Sequence, residues 1–295
     1  MNRINSKSIV RLLIACMGIM LLSCAHQPEE KYDSLSTAGY AVLLEQPYGT
    51  DEKQTFDIFL PEGGKCKDSP LLIMIHGGYW NGGDKNDFYS LIEQFQTALP
   101  ECAFATVNYR LKYPFPAQEM DVKACVEYLI GKRNDYGLSG KFVILGGSAG
   151  AHLSVLYAYK YTCSPRPSAV VNMVGPVNVT GLMKRITEKL TPDDSLKMLT
   201  LYRTSSPLLY VNPDSPPMLM LYGETDELVS VAQAIALRQR LEECGVPHVC
   251  HIFPNTGHSL KGEGEAFMMK ELCTYLAKYL ELSCYNANQE LFLYD

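Results

Sequence analysis

Short, nearly continuous apolar runs alternate with segments of helical periodicity along most of this chain. Residues 71–75 (LLIMI) and 141–145 (KFVIL) are apolar almost throughout, as in a strand that is covered on both faces. A chain that alternates such strands with helices forms a mostly parallel sheet with helices on both sides. The predicted fold is therefore α/β, with a mostly parallel, doubly wound sheet.

The first predicted strand differs in character from the others. Residues 55–60 (TFDIFL) alternate apolar and polar side chains, which predicts a half-buried edge or antiparallel strand. Further strands are predicted at residues 71–75, 103–109, 141–145, 169–174, 218–222 and 248–253. Helices are predicted at residues 88–95, 121–130, 231–243 and 265–282 and directly after residue 148. Asp121 is expected to open its helix, where an acid is favourable.

A lid insertion is predicted at residues 176–217. This segment is rich in proline and contains a charged helical stretch near residues 182–199. It would lie over the edge formed by the carboxyl ends of the strands, where ligands of such folds bind. Residues 38–295 are accordingly predicted to form one α/β domain that carries a small lid.

The first 24 residues have the pattern of an export signal. Three basic residues precede an apolar stretch at residues 12–22, which is too short to span a membrane comfortably. The segment ends in LLSC, which resembles the bacterial lipoprotein lipobox, and this resemblance implies lipid modification of Cys24. The alternative is a plain secretory peptide in which Cys24 has no role.

On the lipobox interpretation, residues 1–24 are a lipoprotein signal peptide and residues 25–37 a polar tether. The protein would be an exported bacterial lipoprotein, on the periplasmic or cell-surface side. Acyl chains on Cys24 would then hold it to the membrane without any spanning segment.

Composition and charge argue against several other partners. Without residues 1–24, 23 basic residues face 32 acidic ones, a formal charge of about −9, and no basic patch suggests a nucleic acid. No Cys or His spacing is typical of a metal site, so we predict neither a metal nor a cofactor. Disulfide pairing stays open, but Cys125 and Cys273 fall on apolar helical stripes and are expected to be buried thiols.

The motif GGSAG at residues 146–150 places a serine between a predicted buried strand and a predicted helix. This is the arrangement of a nucleophile elbow, in which a tight turn requires glycine two residues before and after the serine. The hydroxyl of Ser148 would project above the sheet, and the helix N-terminus would favour developing negative charge. We predict that Ser148 is a nucleophile.

A serine hydroxyl needs a base, and the base needs an acid that orients it. His258 lies in the predicted loop between the last strand and the last helix, where a base can reach the elbow. Asp226 follows the predicted strand 218–222, with Glu224 and Glu227 as chemical rivals in the same loop. The chain order Ser148, Asp226, His258 is that expected of an α/β-hydrolase.

The segment IHGGYW, residues 75–80, follows the first buried strand. Two glycines there allow backbone N–H groups to face a substrate carbonyl. Gly77 and Gly78, together with the N–H of Ala149, are predicted to form an oxyanion hole.

The three side chains that flank these glycines in the sequence are predicted to support the loop or to line a pocket. His76 is expected to orient the loop rather than to act as a base. Tyr79 and Trp80 are predicted to line the acyl or leaving-group pocket, with packing under the lid as the alternative.

These residues resemble the α/β-hydrolase superfamily and, within it, the HGG-type esterases related to hormone-sensitive lipase. The resemblance extends from about residue 40 to residue 282 and is strongest to bacterial feruloyl and acetyl-xylan esterase-like proteins, through segments such as NYRLKYPFPAQEM, GGSAGAHL and PPMLMLYGETDELV. It implies that Ser148, Asp226 and His258 form a catalytic triad. The chain departs from many relatives at Gly147, where they carry an acid, and at Ala151, where they carry glycine.

The resemblance implies a serine carboxylesterase that hydrolyses short acyl or hydroxycinnamoyl esters on carbohydrate through an acyl-enzyme. Its partner would be a small-molecule or oligosaccharide ester. HGGYW and SAGAHL also look like motifs of arylformamidases, so an N-formyl aryl amide is an alternative substrate. A non-catalytic carbohydrate-binding relative is the alternative from a different functional class.

Overall fold

An eight-stranded sheet organises the described part of the chain, which comprises residues 39–62, 68–179, 192–262, 264–283 and 285 of the computed structural model. The strands are β1 (Tyr40–Pro47), β2 (Thr55–Pro61), β3 (Ser69–Ile75), β4 (Ala103–Val107), β5 (Leu138–Gly147), β6 (Ala169–Met173), β7 (Met218–Gly223) and β8 (His248–Phe253). Their order is β1-β2-β4-β3-β5-β6-β7-β8. β1 and β2 are antiparallel to their neighbours, whereas β4, β3 and β5 to β8 are parallel. The predicted mostly parallel α/β sheet is confirmed.

Helices connect the parallel strands. They are α1 (Tyr89–Ala98), α2 (Ala117–Gly131), α3 (Ala149–Lys160), α4 (Pro192–Thr204), α5 (Ala232–Glu243) and α6 (Glu265–Leu280), with 3₁₀ helices at Lys85–Phe88 and Pro207–Tyr210. α4 belongs to the predicted lid, of which residues 180–191 lie outside the described residues. The predicted signal peptide and tether, with Cys24, also lie outside them.

The central strands and α3 form the core beneath the predicted elbow. All residues from Leu71 to Ile75 are at most 1% exposed, which confirms a strand covered on both faces. Every residue of α3 except Lys160 is buried, so this helix is enclosed on all sides. The start of α3, and with it Ser148, is therefore held in place by the core.

The prediction for the first strands was partly wrong. β1 was not predicted, although its alternating burial is that of an edge strand. β2 is antiparallel, as expected, but it lies between β1 and β4 and its polar residue Asp57 is fully buried. Half-burial was inferred from alternation, and a buried acid with partners produces the same alternation.

Those partners form a buried ionic cluster. The ammonium of Lys85, itself 1% exposed, lies 3.2 Å from Asp57 Oδ2 and also pairs with Glu45. Asp57 Oδ1 accepts a hydrogen bond of 2.7 Å from the Glu45 N–H, and Asp57 Oδ2 accepts one from the Tyr89 hydroxyl. A buried carboxylate is tolerated only with such partners.

Asp121 also departs from its predicted role. α2 begins at Ala117, four residues earlier than expected, so Asp121 does not open the helix. Its buried carboxylate accepts from the Arg110 guanidinium at 2.7 and 2.9 Å and from the Arg110 backbone N–H at 2.9 Å. The acid therefore ties α2 to the segment that follows β4.

The cysteines in the described residues are all free thiols. Cys125 and Cys273 are buried, as predicted, and burial raises the pKa of both. Within the described ranges, no cluster of His, Cys, Asp and Glu could hold a metal ion. None of the helices described there combines the length and the hydropathy that a membrane span requires.

The ionic cluster supports a prediction on stability. We expect Asp57→Asn to lower the free energy of unfolding by about 3 kcal/mol, because removing one partner leaves the buried Lys85 charge less compensated. Urea unfolding at pH 7, followed by circular dichroism, measures this. The exposed Glu52→Gln is the control, and an equal loss in both variants would contradict the importance of the cluster.

Candidate active site

The turn between β5 and α3 holds Ser148 in an unusual backbone conformation. Its φ is +52° and its ψ is −117°, a region that side-chain-bearing residues rarely adopt. The Ser148 N–H donates to the Met173 carbonyl at 2.8 Å, and the Ser148 carbonyl accepts from the His152 N–H at 3.1 Å. Such strain persists where surrounding structure fixes it, and it is frequent at active sites.

Close backbone approach explains the flanking glycines. A Cβ at Gly150 would lie 1.9 Å from the Ile75 carbonyl oxygen, and one at Gly146 would lie 2.3 Å from the Gly150 carbonyl carbon. A Cβ at Gly147 would meet nothing within 4 Å, so the departure from relatives at this position has no packing consequence. The motif thus requires glycine at two positions for a steric reason.

The structure brings the predicted serine, histidine and aspartate together. Ser148 Oγ lies 2.9 Å from His258 Nε2, and His258 Nδ1 lies 2.7 Å from Asp226 Oδ2. The second oxygen of Asp226 accepts from the N–H groups of Leu228 at 2.8 Å and Val229 at 2.9 Å. With Nδ1–H donating to the carboxylate, Nε2 is free to accept the serine proton.

The loops after β7 and β8 are pressed against one another, which positions the acid and the base. A Cβ at Gly223 would lie 2.2 Å from the Thr256 carbonyl oxygen, and the Thr225 N–H donates to the same oxygen at 3.0 Å. The rival acids Glu224 and Glu227 are exposed. Asp226 is the acid of this loop that reaches His258.

The other histidines of the described chain do not contact the Ser148 hydroxyl. His76 is buried, stacks on Tyr109 with ring centroids 4.3 Å apart, and donates from Nδ1 to the Gly77 carbonyl at 2.8 Å; burial lowers its pKa. His152 bonds the Ser205 carbonyl through Nε2 at 2.7 Å. His248 and His251 lie in β8.

The HGG segment lies directly beside the elbow. A Cβ at Gly77 would be 3.3 Å from Ser148 Cβ. The N–H groups of Gly77 and Gly78 donate to no other backbone group of the described residues. Ala149 is the first residue of α3, so its N–H has no acceptor within the helix. The N–H groups of Gly77, Gly78 and Ala149 thus have no backbone acceptor among the described residues, and Gly77 and Ala149 adjoin Ser148.

This loop closes tightly on itself. Gly78 has φ +100°, and a Cβ there would lie 2.2 Å from the Gly82 carbonyl oxygen. The N–H groups of Asn81 and Gly82 donate to the Gly78 carbonyl at 3.0 and 2.9 Å. The turn keeps the Gly77 and Gly78 donors in place.

Two consecutive residues after β4, for which the sequence predicted no such role, hold both ends of the loop that follows β3. The Tyr109 hydroxyl lies 3.0 Å from the His76 carbonyl and 3.2 Å from that of Gly77. Asn108 accepts from the Lys85 N–H at 2.7 Å and donates to Asp84 at 3.0 Å. Polar residues directly after a buried parallel strand were the signal that could have identified them.

Ser148 opens into a cavity of about 270 Å³. Its described lining residues are Tyr79, Trp80, Ser148, Ala149, Pro176, Asn178, Leu228, Val229, Ser230 and Gln233. None of them carries a charge. Tyr79 and Trp80 thus lie in the wall of the cavity that contains Ser148. The sequence had left open whether they line such a pocket or pack under the lid.

A mostly parallel, doubly wound sheet with a strained serine turn after β5 is the architecture of the α/β-hydrolases. The family can be stated more narrowly. Residues 56–241 match the model of the BD-FAE family, which is more than half of the chain, and the chain belongs to that family.

Individual relatives are more distant. Esterase LipQ of Mycobacterium tuberculosis is 26% identical over 235 residues, which cover 72% of this chain and 56% of LipQ. Kynurenine formamidase of Danio rerio is 31% identical over 117 residues, 39% of this chain and 38% of that protein. The chain therefore spans about half the length of the curated esterases it matches.

Solved structures share the fold. A truncated carbohydrate esterase from gut microbiota has a TM-score of 0.71 at 21% identity, covering 82% of this chain and 98% of that chain. The esterase Est2 of Thermogutta terrifontis, bound to butyrate, has a TM-score of 0.69 at 17% identity, covering 85% and 98%. At these identities the likeness concerns the fold alone.

The buried His152 makes the stability of the fold depend on pH. Burial lowers its pKa to about 4 from about 6.5, so between these values the unfolded chain binds a proton that the folded protein does not. Stability therefore rises with pH through this window, by an amount on the order of 3 kcal/mol. We expect His152→Gln, whose amide can still donate to the Ser205 carbonyl, to lose less stability than the wild type between pH 7 and pH 4.

Urea unfolding at pH 7, 5.5 and 4.5 measures the difference. His248→Gln, on β8, is the control for loss of an imidazole elsewhere in the fold. Curves that stay parallel for wild type and His152→Gln across the three pH values would contradict the prediction.

Proposed function

We propose that this chain is a serine carboxylesterase that hydrolyses short acyl or hydroxycinnamoyl esters, on carbohydrate, through an acyl-enzyme. The observation that carries the proposal is the hydrogen-bonded series Ser148 Oγ, His258 and Asp226, with distances of 2.9 and 2.7 Å. Membership of the BD-FAE family and the esterases among its relatives support it.

The proposed reaction uses each side chain in turn. His258 Nε2 accepts the hydroxyl proton of Ser148 as Oγ bonds to the ester carbonyl carbon, and Asp226 stabilises the resulting imidazolium. The tetrahedral intermediate then expels the alcohol, whose oxygen takes that proton as the carbon–oxygen bond breaks. In the second half, His258 Nε2 takes a proton from a water molecule as its oxygen bonds to the acyl carbon; the bond from that carbon to Ser148 Oγ then breaks, Oγ takes the proton back, and the carboxylic acid leaves.

The oxyanion of the intermediate would bind the N–H groups of Gly77, Gly78 and Ala149. Each donor of this kind lowers the barrier by about 3–4 kcal/mol, provided that it is already oriented. The turn around Gly78 and the clamp, meaning the hydrogen bonds of Asn108 and Tyr109 to the two ends of this loop, would hold the donors in that orientation before the substrate reacts. No free energy is then needed to orient them in the transition state.

The lining of the Ser148 cavity favours an uncharged substrate. Pro176 and Leu228 offer apolar surface, while Asn178, Ser230 and Gln233 offer polar groups. This mixture fits the ester of a neutral, hydroxylated alcohol such as a sugar. A carbohydrate esterase from gut microbiota and a bifunctional GH43-CE protein of Bacteroides eggerthii share the fold, which supports the carbohydrate part of the proposal.

A second candidate is hydrolysis of N-formyl aryl amides. The likeness to kynurenine formamidase, 31% over 117 residues, favours it, since the same three side chains could attack a formyl carbon. The leaving group would then be an aryl amine that takes its proton from His258.

The cellular location is proposed from residues 1–24 alone. We expect the mature chain to be a lipoprotein anchored through Cys24. Incorporation of radiolabelled palmitate by cells that express the protein, and its loss in Cys24→Ser, tests this. Release of an unlabelled wild-type protein would favour a plain secretory peptide instead.

The primary prediction concerns Ser148→Ala. We expect this variant to lose kcat/KM by at least about 10⁴-fold on every hydrolysed substrate, because the triad acts as a unit. The panel is an acetylated xylo-oligosaccharide, a methyl hydroxycinnamate, an aryl acetate and N-formylkynurenine. Preference for the formyl amide would support the second candidate, and binding of the oligosaccharide without Ser148-dependent turnover would indicate a non-catalytic relative.

Asn108 provides a test of the clamp. We expect Asn108→Ala to lower kcat by about 10- to 100-fold with little change in KM, because a displaced loop loses contact mainly with the transition state. The exposed Asn134→Ala is the matched control, and urea unfolding of both variants separates positioning from stability. A rise in KM alone would show that the clamp acts on substrate binding instead.

A further inference from the structure

The turn that follows β6 has a backbone conformation as unusual as that of Ser148. Val174 has φ +49°, and because its side chain is branched at Cβ, this left-handed conformation is a genuine outlier. The residue is also buried. Such a conformation persists only where the surrounding structure fixes it, so the turn at Val174 requires partners that hold it.

This turn is bonded directly to the candidate nucleophile. The Ser148 N–H donates to the carbonyl of Met173 at 2.8 Å, and Met173 is the residue before Val174. Ser148 itself has φ +52°, so a single hydrogen bond joins the two strained segments. The position of the Met173 carbonyl therefore helps to fix the orientation of the Ser148 backbone.

Two side chains close the turn through a continuous set of hydrogen bonds. Asn172 Oδ1 accepts from the Gly175 N–H at 2.9 Å, and Asn172 Nδ2 donates to the Tyr222 hydroxyl at 3.1 Å. That hydroxyl donates in turn to the Gly175 carbonyl at 2.5 Å. Asn172 and Tyr222 thus bind the N–H and the carbonyl of the same residue, and they also bind one another.

These hydrogen bonds lie in the core. Asn172 and Tyr222 are both 0% exposed, and a buried network whose members are all paired is rigid. Burial raises the pKa of Tyr222, so its hydroxyl keeps its proton and remains a donor at neutral pH. Loss of one member would leave its partners without a hydrogen bond in the interior, where water does not replace it.

The turn also packs against the helix that begins after the nucleophile. A Cβ at Gly175 would lie 2.5 Å from the Cβ of Ala151 and 2.6 Å from Asn172 Oδ1. Ala151 belongs to the first turn of α3. The segment held by Asn172 and Tyr222 is consequently in contact with the start of α3 as well as with the Ser148 N–H.

The same pair connects this turn to the strand that leads to the acid. Tyr222 lies in β7, one residue before the Gly223 that ends the strand, and Asp226 follows in the next loop. The Val174 N–H donates to the carbonyl of Leu221 at 2.9 Å, which is a second link between the turn and β7. The hydroxyl of Tyr222 therefore joins the support of the nucleophile to the strand that precedes the acid.

We propose that Asn172 and Tyr222 are positioning residues for the nucleophile. Their shared hydrogen bonds hold the strained turn at Val174, and the turn holds the Ser148 backbone in its own strained conformation. Neither side chain lines the cavity that contains Ser148, so both act through the main chain. The proposal rests on the proposed function, in which Ser148 attacks the ester carbonyl.

The first test is Tyr222→Phe, which keeps the buried ring and removes the hydroxyl. We expect kcat on the hydrolysed esters to fall about 10- to 100-fold with KM within about threefold, because a displaced nucleophile mainly affects the transition state. Tyr159→Phe is the matched control. Its buried hydroxyl also donates to a carbonyl, that of Pro216 at 3.1 Å, but it lies about 16 Å further along α3.

The control should retain kcat within about twofold, since distant sites act independently. Equal losses of kcat in Tyr222→Phe and Tyr159→Phe would overturn the proposal, because any buried hydroxyl would then have the same effect. Urea unfolding compares the stability of the two variants. A Tyr222→Phe protein that loses stability but keeps kcat would also overturn it, since the pair would then serve the fold alone.

Reactivity of the serine itself is the second readout. An uncharged alkyl fluorophosphonate reacts with an activated serine as Oγ bonds to phosphorus and fluoride leaves, and mass spectrometry of the intact protein gives the rate. We expect Tyr222→Phe to slow labelling of Ser148 at least about tenfold. A merely structural role would not slow it in a protein that circular dichroism shows to be folded under the same conditions.

Asn172→Ala is an independent variant, because it leaves the Tyr222 hydroxyl bonded to Gly175. We expect it to slow labelling as well. The double variant Asn172→Ala/Tyr222→Phe should be within about threefold of the slower single variant, since either change opens the same set of hydrogen bonds. Losses that multiply in the double variant would overturn the assignment of the pair as one unit.

Failure of the two proposals can be told apart. Labelling of Ser148 without turnover of any ester overturns the proposed function alone. Ester turnover with a labelling rate that Tyr222→Phe does not change overturns the positioning proposal alone. Absence of labelling in the wild type would overturn both, because the turn would then hold no reactive serine.

Discussion

The active-site arrangement depends on one backbone contact, the approach of Gly150 to the end of β3. A single added methyl group at Gly150 would meet the Ile75 carbonyl oxygen at 1.9 Å, so the N-terminus of α3 can lie against this strand only because the residue has no side chain. The contact joins the two segments that the proposed chemistry uses, since Ser148 precedes α3 and the HGG loop follows β3. The distance between the candidate nucleophile and the proposed oxyanion donors is consequently set by main-chain packing, and side-chain rotamers contribute little to it.

The loop donors need a second support, because a glycine-rich segment is otherwise flexible. β4 pairs with β3 in parallel, so its carboxyl end emerges beside the HGG loop, and Asn108 and Tyr109 are the first residues past that end. Lys85 extends this support to the antiparallel edge of the sheet through Asp57 and Glu45. β1 and β2 thus act on the site through the charged cluster they bury, although they hold none of the proposed catalytic groups.

The local sequence was sufficient for the fold and for the candidate nucleophile, base and acid. Strand and helix types follow from periodicity. The GGSAG motif can be recognised from five consecutive residues, because its glycines are required by a tight turn that those residues form themselves. The errors have another origin. Asp57 and Asp121 were interpreted from their neighbours in the chain, whereas their burial is decided by Lys85 and Arg110, which approach only after folding. β1 was missed although residues 40–44 (YAVLL) are all apolar; their burial alternates because the strand lies at the edge of the sheet. The roles of Asn108 and Tyr109 depend on the pairing of β4 with β3, and their local sign in the sequence is a pair of polar residues directly after a buried strand.

The choice between an ester and an N-formyl amide cannot reside in the three hydrogen-bonded side chains, because both reactions need the same proton transfers at the same atoms. Discrimination has to come from the walls around Ser148, where the described residues carry no charge. An uncharged wall binds a substrate through ring contacts and hydrogen bonds, and these are sensitive to shape. Selection is strongest where a missing hydroxyl leaves buried groups of the protein unpaired, and a wall built from polar side chains such as Asn178, Ser230 and Gln233 offers groups that a substrate hydroxyl could pair with. Tyr79 and Trp80, both with positive φ, follow Gly78 in the chain and line the cavity that holds Ser148, so within the proposed function the segment that supplies the oxyanion donors would also shape the space beside the nucleophile.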